Sequence, residues 1–339
     1  MTEISRGSTY ERAGDWVAAD RAYAEVYSAA LSRGDVPAVV EALRKMANAR
    51  FRHAAEEEAA ELAELSAEIA LRSGLAAAAA RAWNVLAVIR HSSGSLEIAE
   101  SLYEAALEPA READDPETVG AVCQNLGVIA NIRGDCRGAR LLYLEAIASF
   151  VRSGNRLAAM AAYNNLGMVC TDLEEWMEAE VYFARGIEIA RQLGDFTMLA
   201  KLHSNRAEPL IRIGDFGAAR RSLDAAEEFA GHSGYGRAAA DLNRFRAMIE
   251  RLEGDCATAE SYLDRSLDVC SGDEMTLQRG EALEELARIR LAQQRAGAAR
   301  VLLRESMELY RSIGAHRDVS RLQELSEETL RRPPEAATV

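Results

Sequence analysis

Positive charge is in short supply: across 339 residues, 40 Lys and Arg stand against 54 Asp and Glu, leaving a net charge of −14. That balance argues against nonspecific binding to nucleic acid or to an anionic membrane surface, since both reward the opposite sign. Cysteine is scarce as well, and Cys123, Cys136, Cys170, Cys256 and Cys270 form neither a CxxC pair nor a disulfide-like spacing. They read as small apolar fillers of a reduced, intracellular protein. Long apolar runs are missing too. The most apolar stretch, Leu75 to Ile89, is interrupted by Arg81 and Asn84 and is too short to cross a bilayer. The polar start, MTEISRGSTYERAGDW, lacks the apolar segment of a signal peptide. The expectation is a cytoplasmic protein.

The motifs of chemistry are equally absent. There is no phosphate-cradling Gly-rich loop with Lys, no HExxH and no Gly-x-Ser-x-Gly elbow. The histidines His53, His91, His203, His232 and His316 are scattered, and a lone His on a helix is more often a packing residue than a ligand. The acidic run Glu56-Glu57-Glu58 suits the positive end of a helix dipole. The expectation is no enzyme, no metal and no cofactor.

What the chain does have is a period. Ala recurs every 40 residues, at Ala19, Ala59, Ala99, Ala139, Ala179, Ala219, Ala259 and Ala299, with no insertion or deletion between them. A second small column precedes it by twelve residues: Gly7, Ala47, Ala87, Gly127, Gly167, Ala207, Ala247 and Ala287. Two all-small columns in one frame are the mark of a solenoid, in which each unit buries its apolar face on its neighbours. The frame runs to Arg331 and predicts one elongated domain over 1–331. A tail over 332–339, with Pro333-Pro334, is expected to be disordered.

Each unit reads as a helical hairpin. Tyr163, Leu166, Gly167 and Cys170 fall on one helical stripe, and Ala179, Phe183 and Gly186 on a second. Between such stripes stand Gly14-Asp15, Gly134-Asp135, Gly214-Asp215 and Gly254-Asp255, where Gly ends one helix and Asp caps the next. The second loop recurs at Gly34, Gly74, Gly154, Gly194, Gly234 and Gly314, whereas the turns at Ala54-Ala55, Glu174-Glu175 and Gln294-Arg295 depart from the pattern. Small residues at the crossings allow close helix approach. One turn after the Ala column, Tyr23, Tyr103, Tyr143, Phe183, Leu223, Leu263 and Leu303 fill the adjoining space, with Ala63 alone breaking the column. About seventeen helices follow: eight hairpins, the first of them opening with a short polar helix over residues 2–12, and a capping helix from Arg317 to Arg331.

These residues resemble the tetratricopeptide repeat: Cys123-x2-Leu126-Gly127-x2-Ala130 with Ala139-x3-Tyr143-x2-Ala146, and Tyr163-x2-Leu166-Gly167 with Ala179-x3-Phe183-x2-Gly186. The period is 40 rather than 34, and the extra residues lie after Gly186. Longer-period arrays of this kind are similar to those of kinesin light chains and of the C-terminal regions of large bacterial transcription activators. The resemblance implies an all-α, right-handed solenoid of about eight helix-turn-helix repeats plus the capping helix, with the first helices of the hairpins lining a concave groove.

The groove columns read Arg44, Asn84, Gln124, Asn164, Ser204 and Arg244, then Asn125, Asn165 and Asn205. Amides donate and accept at once, so a ladder of them can pair with an extended peptide backbone without reading its sequence. They could equally cap or bridge neighbouring helices. Asn164-Asn165-Leu166 is similar to segments of the kinesin light chain groove. Arg44, Asn48, Arg52 and Arg81 at one end, Lys201 and Arg212 mid-array and Arg244 further on point to a partner with carboxylates or a free C-terminus. Asn131 and Met168 complete the set of groove candidates. Arg44-x3-Asn48 has the spacing of the first helix of a carboxylate-clamp domain, but Ala121 and Asn125 stand where its basic pair belongs. Two functions stay open: a noncatalytic scaffold holding a peptide or helical segment, and a regulatory or sensor module that binds a small ligand or signalling peptide and acts through a separate effector protein.

Overall fold

A computed structural model describes residues 3–233, 238–270 and 275–331. Gly234 and the tail 332–339 lie outside the described residues. Seventeen helices and no strand occur among those described. The first helices of the hairpins are α1 (Glu3–Ala13), α3 (Val36–Arg52), α5 (Ala76–Ser92), α7 (Pro116–Ile132), α9 (Arg156–Asp172), α11 (Phe196–Arg212), α13 (Ala238–Glu253) and α15 (Thr276–Ala292). Their partners are α2 (Trp16–Arg33), α4 (Glu56–Arg72), α6 (Leu96–Glu112), α8 (Cys136–Ser153), α10 (Trp176–Leu193), α12 (Phe216–Ser233), α14 (Cys256–Val269) and α16 (Ala296–Ser312). The last helix is α17 (His316–Arg331). No helix among the described residues is long and apolar enough to cross a membrane.

The turns form as the Gly-Asp pairs require. Gly34 ends α2 at φ 68°, its N–H returning to the Ala30 and Leu31 carbonyls, and the Asp35 carboxylate then accepts from Ala38 N at 3.2 Å to cap α3. Glycine is favoured there because an L side chain clashes in the left-handed region. The departing turns keep the conformation nonetheless: Ala54, Glu174 and Gln294 sit at φ 68°, 61° and 64°, and Asp114 joins them at 52°. Tertiary packing of the flanking helices outweighs a local preference of order 1–2 kcal/mol.

All eight members of the Ala column are fully buried. The second column shows why it alternates between Gly and Ala. A Cβ built on Gly127 would lie 2.8 Å from the Tyr143 ring, and one on Gly167 would lie 2.6 Å from the Phe183 ring. Where Leu223, Leu263 and Leu303 replace the aromatic, the facing residue is Ala207, Ala247 or Ala287. Ring and missing methyl compensate each other in these hairpins; the third departs, pairing the Tyr103 ring with Ala87. A further tie recurs where Ser occupies the buried side of the second helix: Ser66, Ser266 and Ser306 donate to the carbonyls of Val40, Ala240 and Gly280, at 2.8 to 2.9 Å.

The chain packs as two compact units, Met1–Leu166 and Gly167–Val339, and the division falls within α9. Inside the first unit α3 packs on α5 and α5 on α7; inside the second α11 packs on α13 and α13 on α15. Within each unit, the second helices of the hairpins make no comparable backbone approach to one another among the described residues. The first helices therefore lie on the inner side of each unit's curve. In the second unit α17 also reaches back to α9: Arg317 Nη2 donates to the Asp172 carbonyl at 2.5 Å.

Candidate functional site

Helical geometry places the groove candidates on one stripe of the inner helices, because positions spaced by three, four and seven share a face. In the first unit that stripe carries Arg44 and Asn48 on α3, Arg81 and Asn84 on α5, Gln124 and Asn125 on α7, and Asn164 and Asn165 on α9. Arg52, at the end of α3, lies over the Trp16 ring at 5.5 Å. Asn131, at the end of α7, accepts from the Cys136 thiol at 3.8 Å across the turn. In the second unit the stripe carries Met168, Lys201, Asn205, Arg212 and Arg244.

The arginines find counter-ions inside the protein. Arg44 grips Glu41 through Nε at 3.0 Å and Nη2 at 2.5 Å. Burial pushes the Glu41 carboxyl up, but the Arg44 hydrogen bonds and charge outweigh it and hold the carboxyl below its usual range. Arg81 Nη1 donates to Asp115 Oδ2 at 2.9 Å, while Asp115 also caps α7 through Thr118 N at 3.1 Å. Arg212 pairs with Glu208 at 3.1 Å and lies over the Trp176 ring. Arg244 sits between two carboxylates, Glu281 at 3.4 Å and Asp241 at 3.9 Å. At Arg44, Arg81, Arg212 and Arg244 the stripe is thus charge-paired rather than a source of surplus positive charge.

The amides are treated differently. Asn84 Oδ1 and Gln124 Oε1 are buried acceptors with no hydrogen-bond partner among the described residues. They occupy one column on α5 and α7, two inner helices in contact. Asn164 Nδ2 donates to Asn165 Oδ1 at 3.5 Å, a weak contact at the edge of hydrogen-bond range.

The same columns three repeats beyond Asn164 and Asn165 hold residues that reading the sequence for amides and bases missed. Glu284 and Glu285 on α15 are buried at 4% and 3% exposure. Glu284 accepts from Arg321 Nη2 at 2.9 Å and from Tyr310 Oη at 3.1 Å, and it pairs with Arg288 at 2.7 Å. Glu285 accepts from Arg251 Nε at 2.5 Å. Burial pushes Glu284 up, yet the Arg321 bonds and the Arg288 charge keep it below the ordinary carboxylate range. Glu281 has only Arg244 to oppose burial, and it is pushed up to about 7. The available signal was the 40-residue frame itself, followed from Arg244 to Glu284. His203, on α11, is buried against Phe229. Ser222 Oγ donates to the His203 carbonyl at 3.0 Å and so accepts from Nδ1–H at 3.1 Å. This fixes the tautomer and leaves Nε2 a bare acceptor, without a hydrogen-bond partner. Burial, aided by Arg206 and Arg191, pushes the imidazole down to about 4.

No family model matches the chain, and no curated protein does. Solved structures do. A signal transduction ATPase with numerous domains and a tetratricopeptide repeat sensor, from Pyrococcus horikoshii, aligns over 97% of this chain and 50% of its own, at 13% identity and a TM-score of 0.65. A Rap protein complexed with competence and sporulation factor aligns over 96% of each chain, at 14% identity and a TM-score of 0.58. BtubC from P. vanneervenii aligns over 69% of this chain and 93% of its own, at 21% identity and a TM-score of 0.55. The likeness is one of fold: the chain is a tetratricopeptide-type α-solenoid.

Proposed function

We propose that the protein is a noncatalytic, cytoplasmic scaffold that holds an extended peptide, or a helical segment of a partner, along the inner-helix stripe. The observation that carries this reading is the pair of unpartnered acceptors, Asn84 Oδ1 and Gln124 Oε1, on adjacent inner helices. A buried acceptor without a donor costs about 1–3 kcal/mol, and a backbone N–H of an extended ligand relieves it. Both side chains are only half-buried, so rotation toward the open side of the stripe brings each oxygen to such a donor. Asn125, Asn164, Asn165 and Asn205 continue the ladder. A ligand carboxylate would compete with Glu41 and Asp115 for Arg44 and Arg81, which makes an acidic partner one of modest salt sensitivity.

Exchange of both amides, Asn84→Ala with Gln124→Ala, tests the reading. Titrating a fluorescent peptide library against the full chain should show binding to wild type and loss in the double variant, at unchanged helical content. Equal binding by the two proteins places the ligand elsewhere. A second reading, in which peptide occupancy switches action on a separate effector protein, is favoured by the fold shared with a Rap protein complexed with competence and sporulation factor.

A further inference from the structure

The last residue of a helix sits at the negative end of its dipole, where a cation is favoured and an anion is not. Among the inner helices α3 and α11 close on Arg52 and Arg212, whereas α9 closes on Asp172 and has no basic residue in its last turn. The missing cation arrives from α17, within the same compact unit, to which α9 belongs from Gly167 onward. Arg317 Nη2, in the first turn of α17, donates to the Asp172 carbonyl at 2.5 Å, and its Nη1 stands 3.5 Å from Asp172 Oδ1. The two residues are 145 positions apart, so this contact joins the two ends of the unit's inner arc.

α17 is held unequally on its two sides. Toward α15 and α16, Val319 and Leu322 are buried among Leu303, Met307 and Tyr310, and Arg321 Nη2 donates to Glu284 at 2.9 Å. Toward α9, the Arg317 and Asp172 side chains are 57% and 43% exposed. Ion pairs so open to water are weak, and salt screens them. Burial raises the Asp172 carboxyl, Arg317 lowers it, Asp318 and Glu208 raise it, and Arg321 lowers it; the balance is upward, so its charged form is not strongly favoured where it stands. A firm attachment along one edge and a weak one at the other is the arrangement of a hinged closure.

What it closes is the inner side of the second unit. Glu208 on α11 bears electrostatically on Asp172 of α9, on Arg244 of α13 and on Glu281 of α15, while Arg321 ties α17 to Glu284 of α15. Five helices thus turn charged side chains toward one narrow interior. We propose that α17 is a reversible latch: seated on α9 it closes that interior to a polypeptide, and released from α9 it opens it. The leverage comes from the repeat architecture. Each interface between hairpins contributes a small rotation, the rotations add along the array, and a contact between its two ends restrains them all. Asn84 and Gln124 lie in the first unit, and the test below uses no bound peptide, so this inference and the peptide-holding reading stand or fall independently.

The test places a thiol on the inner stripe of α9 with Met168→Cys, at a position 44% exposed, in the full chain. Its alkylation is timed with a small maleimide and with a maleimide carried on a long polyethylene glycol chain. The reaction is read at residue 168 by peptide mapping, because Cys256 is only partly buried. With α17 seated, the small reagent should react readily and the long one slowly. Adding Arg317→Gln should speed the long reagent several-fold while leaving the small one, and the thermal melt, unchanged. Raising the salt concentration should do the same to the Met168→Cys parent, which keeps both latch residues, and should add nothing in the Arg317→Gln background. Exchanging the charges, Arg317→Asp with Asp172→Arg, suits the dipoles of both helices and should return the long reagent to its slow rate. Equal rates for the long reagent with and without Arg317, a parallel acceleration of the small reagent, or failure of the exchanged pair to restore protection overturns the proposal.

Discussion

In the first unit the inner column that begins at Arg44 continues as Asn84 and Gln124; in the second the same column reads Ser204, Arg244 and Glu284. One surface is built of amides with buried acceptors left unpaired, and the other of carboxylates and guanidiniums that answer one another across α13, α15 and α17. The backbone architecture is common to both. Packing identity therefore resides in the small columns and their ring partners, while the inner columns are free to carry different chemistry. The first unit leaves the Asn84 and Gln124 acceptors without partners among the described residues, and the second spends its polar groups on one another.

The largest expected effect lies on the self-satisfied side. Glu284→Ala removes the shared partner of Arg288, Arg321 and Tyr310, and leaving such charges uncompensated should cost about 3–5 kcal/mol in urea unfolding. A loss below about 1 kcal/mol would show the network to be solvent-screened and erase the contrast between the units. Next comes Gly167→Ala, whose methyl would strike the Phe183 ring; overpacking there should cost roughly 1–3 kcal/mol. Adding Phe183→Leu should restore most of it, because the Leu-containing hairpins already tolerate Ala at this place. Failure of that rescue means the ring and the glycine are not a compensating pair.

Within the second unit two groups pull the pH response in opposite directions. His203 stays neutral in the fold down to about 4. The unfolded imidazole takes its proton near pH 6.5, so this residue's contribution to stability is lost progressively as pH falls from there toward 4. Glu281 acts in the opposite direction. Its folded carboxyl, raised to about 7, resists ionising while the unfolded one does not, so it destabilises increasingly as pH rises from about 4.5 to 7. His203→Gln should therefore reverse the slope of stability between pH 5 and 7, a change of about 1–2 kcal/mol across that window. An unchanged slope assigns the pH dependence to other groups. The smallest effect belongs to the amides: Asn84→Ala with Gln124→Ala should leave stability within about 0.5 kcal/mol, or raise it slightly, since orphaned acceptors are removed. Cooperative destabilisation instead would make those side chains structural.

The fold was largely legible because a repeat states its instructions eight times. Ala179 alone is an ordinary helix residue; Ala19 through Ala299 in one frame define a crossing. Where the signal failed, it failed locally. Asp114 takes a left-handed conformation at φ 52° inside an Asp-Asp-Pro segment that has no glycine to announce it. The site was legible as columns but not as electrostatics. Arg81 meets Asp115, Lys45 meets Glu11 and Arg251 meets Glu285, each partner 34 residues distant. No helical periodicity of three or four reports a contact at that separation, so Arg81 looked available to a ligand. Within the repeat frame, however, Lys45 with Glu11 and Glu285 with Arg251 join the same two frame positions of successive hairpins, and that recurrence is readable once one pair is known.

The 40-residue period without insertions also bears on how the chain comes to be made. Apart from the contact of α17 with α9, hairpins of this frame pack on their neighbours, so as the polypeptide leaves the ribosome a hairpin can close as soon as the next forty residues have followed it. Assembly can then proceed in the direction of synthesis, with short loops to close at every step and little apolar surface left waiting. The contact of Arg317 with Asp172, 145 residues apart, does not fit that schedule. It must await the last helix, and it fastens a structure whose earlier parts were finished before it was translated.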